Sequence, residues 1–206
     1  MTRASHSVAI SDDQEYAIDQ FLVPQCYEGD LQSILIPEGQ IKDRIKKLAH
    51  EIHHNIGDQA ISLICVLKGS YKFFTALVDA LSIVRHTCKT QLTVDFIRAK
   101  SYEDTESTGQ LEIIGLSNLN EIKGQNVLIV DDIVDSGLTL SRLIHTFEEQ
   151  GASKVWTALL LSKRVKRQEN PREDFVAFQL DYNQKFRDLS HLAVMSETGI
   201  QKYKKK

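Results

Sequence analysis

The chain has 206 residues, of which 42% are hydrophobic and 26% charged, and its formal net charge is −3. That length and apolar content sustain one sizeable core, while the mixed, nearly balanced charge excludes a field that would gather nucleic acid or an acidic membrane. No apolar run approaches the roughly 18 residues of a membrane span, and the opening Met1-Thr2-Arg3-Ala4-Ser5-His6 has no apolar signal core, so a cytoplasmic location is expected.

In chain order, Ile41, Ile45, Leu48, Ile52 and Ile56 recur at helical spacing and predict a helix ending near Gly57. The same stretch contains His50-Glu51-Ile52-His53-His54, which fits the H-E-x-x-H pattern of zinc proteases. At 100° per residue, however, His50 and His54 lie about 160° from the apolar stripe, on the solvent side. Position 60, where an extended motif wants a third His, is Ala60, and zinc hydrolysis is set aside. Ile61 to Leu67 reads as a buried strand, Lys68-Gly69-Ser70 opens a second helix with Tyr71, Phe74, Leu77, Val78 and Leu81 on its apolar face, and Leu92 to Ile97 is a further strand. The polar run Arg98 to Gln110 has the length and composition of a lid or binding loop. Cys26, Cys65 and Cys88 are scattered with no C-x-x-C pair, which argues against a disulfide framework or a zinc ribbon.

Val127 to Thr139 carries most of the chemistry: four apolar residues run into Asp131 and Asp132, then Asp135, then Ser136-Gly137-Leu138-Thr139. Leu140, Leu143, Ile144 and Phe147 follow at helical spacing, ending at Gly151, so the segment reads as buried strand, loop and helix start. A strand buried on both faces belongs to a parallel sheet, and its first polar residues emerge at the carboxyl edge, where open α/β folds bind ligands. Backbone N–H groups and hydroxyls of residues 136–139 at a helix N-terminus suit a phosphate. Acids beside a phosphate cradle need a sugar hydroxyl, a metal ion or a basic nitrogen to face. Val155 to Leu161, Phe175 to Leu180 and His191 to Met195 are later strands, and the alternation predicts a doubly wound α/β sheet. The closing Lys202, Lys204, Lys205 and Lys206 read as a solvated tail.

Val127 to Thr139 resembles the phosphoribosyl pyrophosphate (PRPP) signature of type I phosphoribosyltransferases, and the chain is similar to the hypoxanthine-guanine phosphoribosyltransferases of animals. Matching stretches include Ile10-Ser11-Asp12-Asp13, Cys65-Val66-Leu67-Lys68-Gly69, Val94-Asp95-Phe96-Ile97-Arg98, Lys100-Ser101-Tyr102, Ser107-Thr108-Gly109, Leu161-Ser162-Lys163-Arg164, Leu180-Asp181-Tyr182-Asn183, Phe186-Arg187-Asp188-Leu189 and Ser196-Glu197-Thr198-Gly199. The resemblance implies one domain over 1–206: a mainly parallel sheet flanked by helices in a core of about 38–165, and a small hood from about 1–37 and 166–206. It implies a Mg²⁺-dependent transferase of purine salvage that joins PRPP to hypoxanthine or guanine, giving IMP or GMP plus pyrophosphate, in a homodimer or homotetramer.

The resemblance also assigns roles. Residues Ser136, Gly137, Leu138 and Thr139 would hold the 5′-phosphate; Asp131 and Asp132 the ribose hydroxyls and one Mg²⁺; Asp135 would exchange a proton near the purine N7. Lys68 and Gly69 would meet pyrophosphate through backbone donors, in an unusual peptide conformation the family adopts. Ser101 and Tyr102 belong to the closing loop, Lys163 would bond the purine 6-oxo group, Asp181 a second Mg²⁺ through water, and Arg187 the pyrophosphate. Displacing pyrophosphate from the anomeric carbon passes through a ribosyl cation, which calls for charge neutralisation and exclusion of water. Asp135, ordinarily near ~3.9, would act as base if a closed site desolvates it.

The chain departs from the family pattern in several places. Asp131 stands where many members have Glu, Leu138 where many have Lys, and Ser70 where a second Gly is frequent, which matters if that position needs positive φ. About ten residues are also missing from the purine segment. Placed just after Gln179, the loss removes the aromatic residue that stacks on the base; placed between Lys166 and Asp174, it leaves Phe175 and Val176 as the stacking pair. Stacking is worth roughly 1–3 kcal/mol per base, so the first placement raises a second reading: a protein that binds PRPP or nucleotide as a sensor without turnover. Preference among hypoxanthine, guanine and xanthine turns on the same segment.

Overall fold

In the computed structural model the described residues are 7–11, 14–101, 111–115, 119–163, 169–180 and 190–203. The elements in chain order are β1 (Val8–Ala9), β2 (Leu31–Ile36), α1 (Glu38–Ile56), β3 (Ile61–Val66), α2 (Tyr71–Val84), β4 (Leu92–Ser101), β5 (Leu111–Ile114), β6 (Asn126–Val134), α3 (Leu138–Glu149), β7 (Lys154–Lys163), β8 (Phe175–Leu180), β9 (Leu192–Met195) and α4 (Glu197–Tyr203). Seven strands form one sheet in the order β1-β8-β7-β6-β3-β4-β5, parallel except for β4 with β5.

Alternation along the central strands divides the core into two layers. Leu63, Cys65, Leu128, Val130, Phe175 and Ala177 pack with α1 and α2 on one face. Ile64, Val66, Val127, Ile129, Val155 and Val176 pack with α3 on the other. The stripe expected from Ile41 to Ile56 is the buried face of α1, all five residues being 8% exposed or less. Burial also puts Arg44 on that face, where its Nε and Nη2 donate to the Ala177 and Val176 carbonyls at 3.1 Å each and Nη1 meets Glu51 at 3.3 Å. The strand β8 thereby has backbone acceptors satisfied by a helix, as buried carbonyls require.

The run Arg98 to Gln110 is not all loop. Residues 98–101 continue β4 and pair antiparallel with β5, in register from Arg98 with Ile114 to Ser101 with Leu111. Tyr102 and the rest of the expected lid lie outside the described residues. The expected boundary at 165 also shifts: β1 and β8, assigned to the hood, are strands of the main sheet. Chain ends meet elsewhere, in a two-stranded antiparallel sheet of β2 with β9.

Phe175 and Val176 correct the stacking expectation. They are 3% and 4% exposed, lie in opposite core layers, and pair with Ala158 and Leu159. The carboxyl end of β8 is Leu180, beside Lys163, roughly 15 Å further along at the usual rise per residue. A side chain sealed between sheet and helices at that distance cannot stack on a base at the carboxyl edge. Phe175→Ala is therefore expected to lower unfolding free energy by about 3–5 kcal/mol in denaturant titration, leaving the purine KM within about twofold. A large KM rise with unchanged stability would return Phe175 to the base.

The second sheet is tied down by Asp30, which is 3% exposed. Its Oδ2 accepts from Lys202 Nζ at 2.7 Å and from the Tyr203 hydroxyl at 3.0 Å, docking α4 against the start of β2. The Lys202 ammonium holds the Asp30 carboxyl below its ordinary 3.8 against the opposing effect of burial, with Tyr203 assisting. A depressed carboxyl contributes stability above its unfolded value and loses it as pH falls through the folded one. Asp30→Asn should lower the Tm at pH 7, with the gap to the parent protein closing as pH drops below about 4. A gap constant over that range would remove the ion pair as its origin.

Candidate active site

The order of strands creates a parting. From β3 the chain crosses by α2 to β4 on one side, whereas from β6 it crosses by α3 to β7 on the other. β3 and β6 are neighbours, so the two crossovers diverge between them, which is the switch point where open α/β sheets take ligands. Pairing of β3 with β6 ends at Cys65 with Val130. β6 does not stop there: it continues against β7 through Asp131, Ile133 and Val134. The acids expected in a loop are thus strand residues held on one side only.

A hollow of roughly 280 Å³ opens at this parting, lined from one side by Val66, Leu67, Lys68 and Gly69 and from the other by Asp131, Asp132, Asp135, Ser136, Gly137 and Thr139. Asp131 Oδ1 accepts the backbone N–H of Asp132 at 2.9 Å, which fixes the turn of that carboxylate. Asp132 packs directly on Gly69, so closely that a Cβ there would overlap its carboxyl group. The Leu67–Lys68 peptide is cis. Ser70 adopts φ −70°, ordinary helical backbone, so replacing a frequent glycine requires no left-handed conformation there. Its hydroxyl donates to the Val66 carbonyl and lies 3.2 Å from Cys65 Sγ. Burial raises the pKa of the Cys65 thiol, and it acts as packing behind the site.

On the other wall, Gly137 has φ +81° and caps α3 with no side-chain bond to the first amides of the helix. A twelve-residue helix so begun presents N–H groups and the positive end of its dipole to the hollow. Positive φ accounts for glycine at 137, and the close approach of the Glu169 carbonyl and Pro171 ring leaves no room for a Cβ. The Glu169 N–H donates to the Ser136 carbonyl at 3.2 Å, which lays residues 169–171 over this turn. Nothing in the spacing of the sequence marks that contact. Leu138, the first helical residue, does not line the hollow.

Lys163, the last residue of β7, is 6% exposed, and its Nζ reaches Asp135 Oδ2 at 3.0 Å. The Asp135 side chain is 66% exposed, so the pair joins a buried cation to a carboxylate open to the hollow. Carboxylates, a buried cation and a helix N-terminus converge here. The hard oxygens of Asp131 and Asp132, side by side at the rim, are a donor set that suits Mg²⁺. Ser101 ends β4, two residues after Ala99, which lines the hollow; Tyr102, Asp181 and Arg187 fall outside the described residues.

Comparison with known proteins agrees with this geometry. A family model described as the phosphoribosyl transferase domain matches residues 34–192. The chain is 42% identical to the hypoxanthine-guanine phosphoribosyltransferases of pig and of human, in each case over 99% of this chain and all of the relative. A solved hypoxanthine-guanine phosphoribosyltransferase from Schistosoma mansoni, in complex with IMP, superposes with a TM-score of 0.75 at 31% identity, covering 97% of this chain and all of that one. The chain belongs to the phosphoribosyltransferase family.

Proposed function

We propose that this protein transfers the phosphoribosyl group of PRPP to N9 of hypoxanthine or guanine, forming IMP or GMP and pyrophosphate. The observation that carries the reading is the hollow at the β3–β6 parting, where Lys68, Gly69, Ser136, Gly137 and Thr139 flank Asp131, Asp132 and Asp135. The full-length similarity to named transferases favours turnover over a sensor role.

In this reading the amides at the start of α3, with Ser136 and Thr139, bind the 5′-phosphate, and Asp131 and Asp132 orient the ribose hydroxyls. Lys68 and Gly69 offer backbone donors to pyrophosphate, which Arg187 joins. Asp131 and Asp132, with Asp181, would hold Mg²⁺, which would supply neutralisation of the leaving group. Lys163 donates to the purine 6-oxo group, and adenine, bearing an amino group there, offers no acceptor to it. As N9 bonds to the anomeric carbon, Asp135 takes the purine proton at N7, and Lys163 beside it at 3.0 Å positions that carboxylate. Ser101 and Tyr102 close over the reaction and exclude water from the ribosyl cation.

The shortened purine segment is placed after Gln179 in this reading. The alignment with the matched relatives extends over 217 positions, so at least eleven of them have no counterpart among these 206 residues. Thr157 and Asp174 exchange bonds of 2.9 Å, backbone N–H of each to the side chain of the other, which holds the start of β8 in register with β7. A shortening between Lys166 and Asp174 would have needed Phe175 at the carboxyl edge. Assembly as a homodimer or homotetramer and a cytoplasmic setting belong to the same proposal. No helix among the described residues is long and apolar enough to cross a membrane.

Two experiments test the reading. With Mg²⁺ and PRPP, the protein should convert hypoxanthine and guanine, and Asp135→Asn should lower kcat by about 10²–10⁴ while PRPP affinity holds. Conversion of neither base with PRPP still bound would overturn the enzyme assignment, and an unchanged kcat would remove Asp135 as base. Gly69→Ala must push the Asp132 carboxylate aside; PRPP binding measured by calorimetry should weaken by roughly a hundredfold, about 2.7 kcal/mol, with little loss of Tm. Unaltered affinity would show that this close approach does not serve the sugar diphosphate.

A further inference from the structure

The opposite edge of the sheet holds a second constellation. The turn after α1 and the connection from α2 to β4 lie at the amino ends of β3 and β4, roughly 15–20 Å along the strands from the hollow. There a ring nitrogen of His53, a carboxylate oxygen of Asp58 and Cys88 Sγ lie within 4.8 Å of one another. Of the histidines in the H-E-x-x-H stretch, His50 and His54 are exposed as the angular argument required. His53 is the one turned toward other metal-binding groups, and its Nδ1 is buried with no hydrogen-bond partner.

We propose that His53, Asp58 and Cys88 bind one zinc ion, with water completing a tetrahedron. A neutral imidazole, a carboxylate and a thiolate form a donor set that selects zinc over magnesium or calcium, because sulfur and nitrogen are poor partners for hard cations. In such a tetrahedron the ligand atoms stand roughly 3.3–3.7 Å apart. Drawing the three groups in from 4.8 Å requires only side-chain adjustment. Cys88 Sγ already donates to Asp58 Oδ1 at 3.0 Å. On binding, that S–H proton passes to solvent and zinc takes its place between sulfur and oxygen.

The two connections are held together before any ion arrives. Arg85, 7% exposed, donates to the Gly57 and Gln59 carbonyls at 2.7 and 2.8 Å and to Thr90 Oγ1 at 3.2 Å. Thr90 Oγ1 donates to the Asp58 carbonyl at 2.5 Å, and the Cys88 N–H to the Arg85 carbonyl at 2.9 Å. These bonds bracket Asp58 and Cys88 from behind, as outer partners do in metal sites. The Arg85 charge opposes a cation, but the carboxylate and thiolate together outweigh it. The partial exposure of Asp58 and Cys88 provides the entry path.

The test uses the full-length, metal-free protein with Mg²⁺ in excess to occupy the acids near PRPP. Zinc titrated against a chromophoric chelator should bind one equivalent, and His53→Ala or Cys88→Ser should each weaken it by roughly a hundredfold. Cobalt in place of zinc should give a sulfur-to-metal charge-transfer band in the near ultraviolet that Cys88→Ser abolishes. Purine-nucleotide synthesis should be unchanged in both variants, which separates this site from the reaction centre. Absence of a tight equivalent, affinity indifferent to both substitutions, or a cobalt spectrum without the thiolate band would overturn the assignment.

Discussion

The constraint from which the site follows is the close approach of Gly69 to Asp132 across the parting of β3 and β6. Two neighbouring parallel strands send their helices to opposite sides, so their pairing must end and their carboxyl ends must separate. Left unchecked, such a separation would be an open cleft. A residue without a side chain at 69 lets the β3 turn come back against the β6 carboxylate, so anionic and main-chain donor surfaces face one another in one hollow. The rest of the fold serves this arrangement: α1 and α2 seal one face, α3 the other, and β7 carries Lys163 to the same edge.

Continuity of β6 past Val130 explains how Asp131 and Asp132 are held without collapsing the sheet. Asp131 lies opposite Leu159, and Val134 opposite Ser162, so the backbone beneath the acids is still bonded to β7. Negative charge on that rim is offset by the buried Lys163 at Asp135 and by the amides opening α3. The pair joins a buried ammonium to a carboxylate that remains open to the hollow.

Much of this was legible in residues alone because it rests on short-range pattern. Four consecutive apolar residues before Asp131 indicate burial on both faces, and Leu140, Leu143, Ile144 and Phe147 indicate which face of α3 is inward. What was not legible depends on pairing between distant segments. The same two acids look like loop residues until β7 extends beside them, and residues 98–101 look like a lid until β5 pairs with them. Phe175 and Val176 look like a stacking pair until the register with Ala158 and Leu159 places them at the wrong end of their strand. Ser70 resembled a backbone liability only while its φ was unknown.

The register of β8 also limits what the shortened segment can have changed. β8 is fixed at its start by Thr157 and Asp174, along its length by β7, and at its middle carbonyls by Arg44. The residues that line the hollow come from β3, β4, β6, α3 and their turns, all ahead of Gln179, so a shortening placed after Gln179 removes none of them. In the proposed function the consequences would fall on the base. A site that keeps its grip on the sugar diphosphate while offering less surface to the purine would lose discrimination among bases before losing the reaction. In the proposed function Lys163 would be the described group whose charge and position tell an oxo from an amino purine.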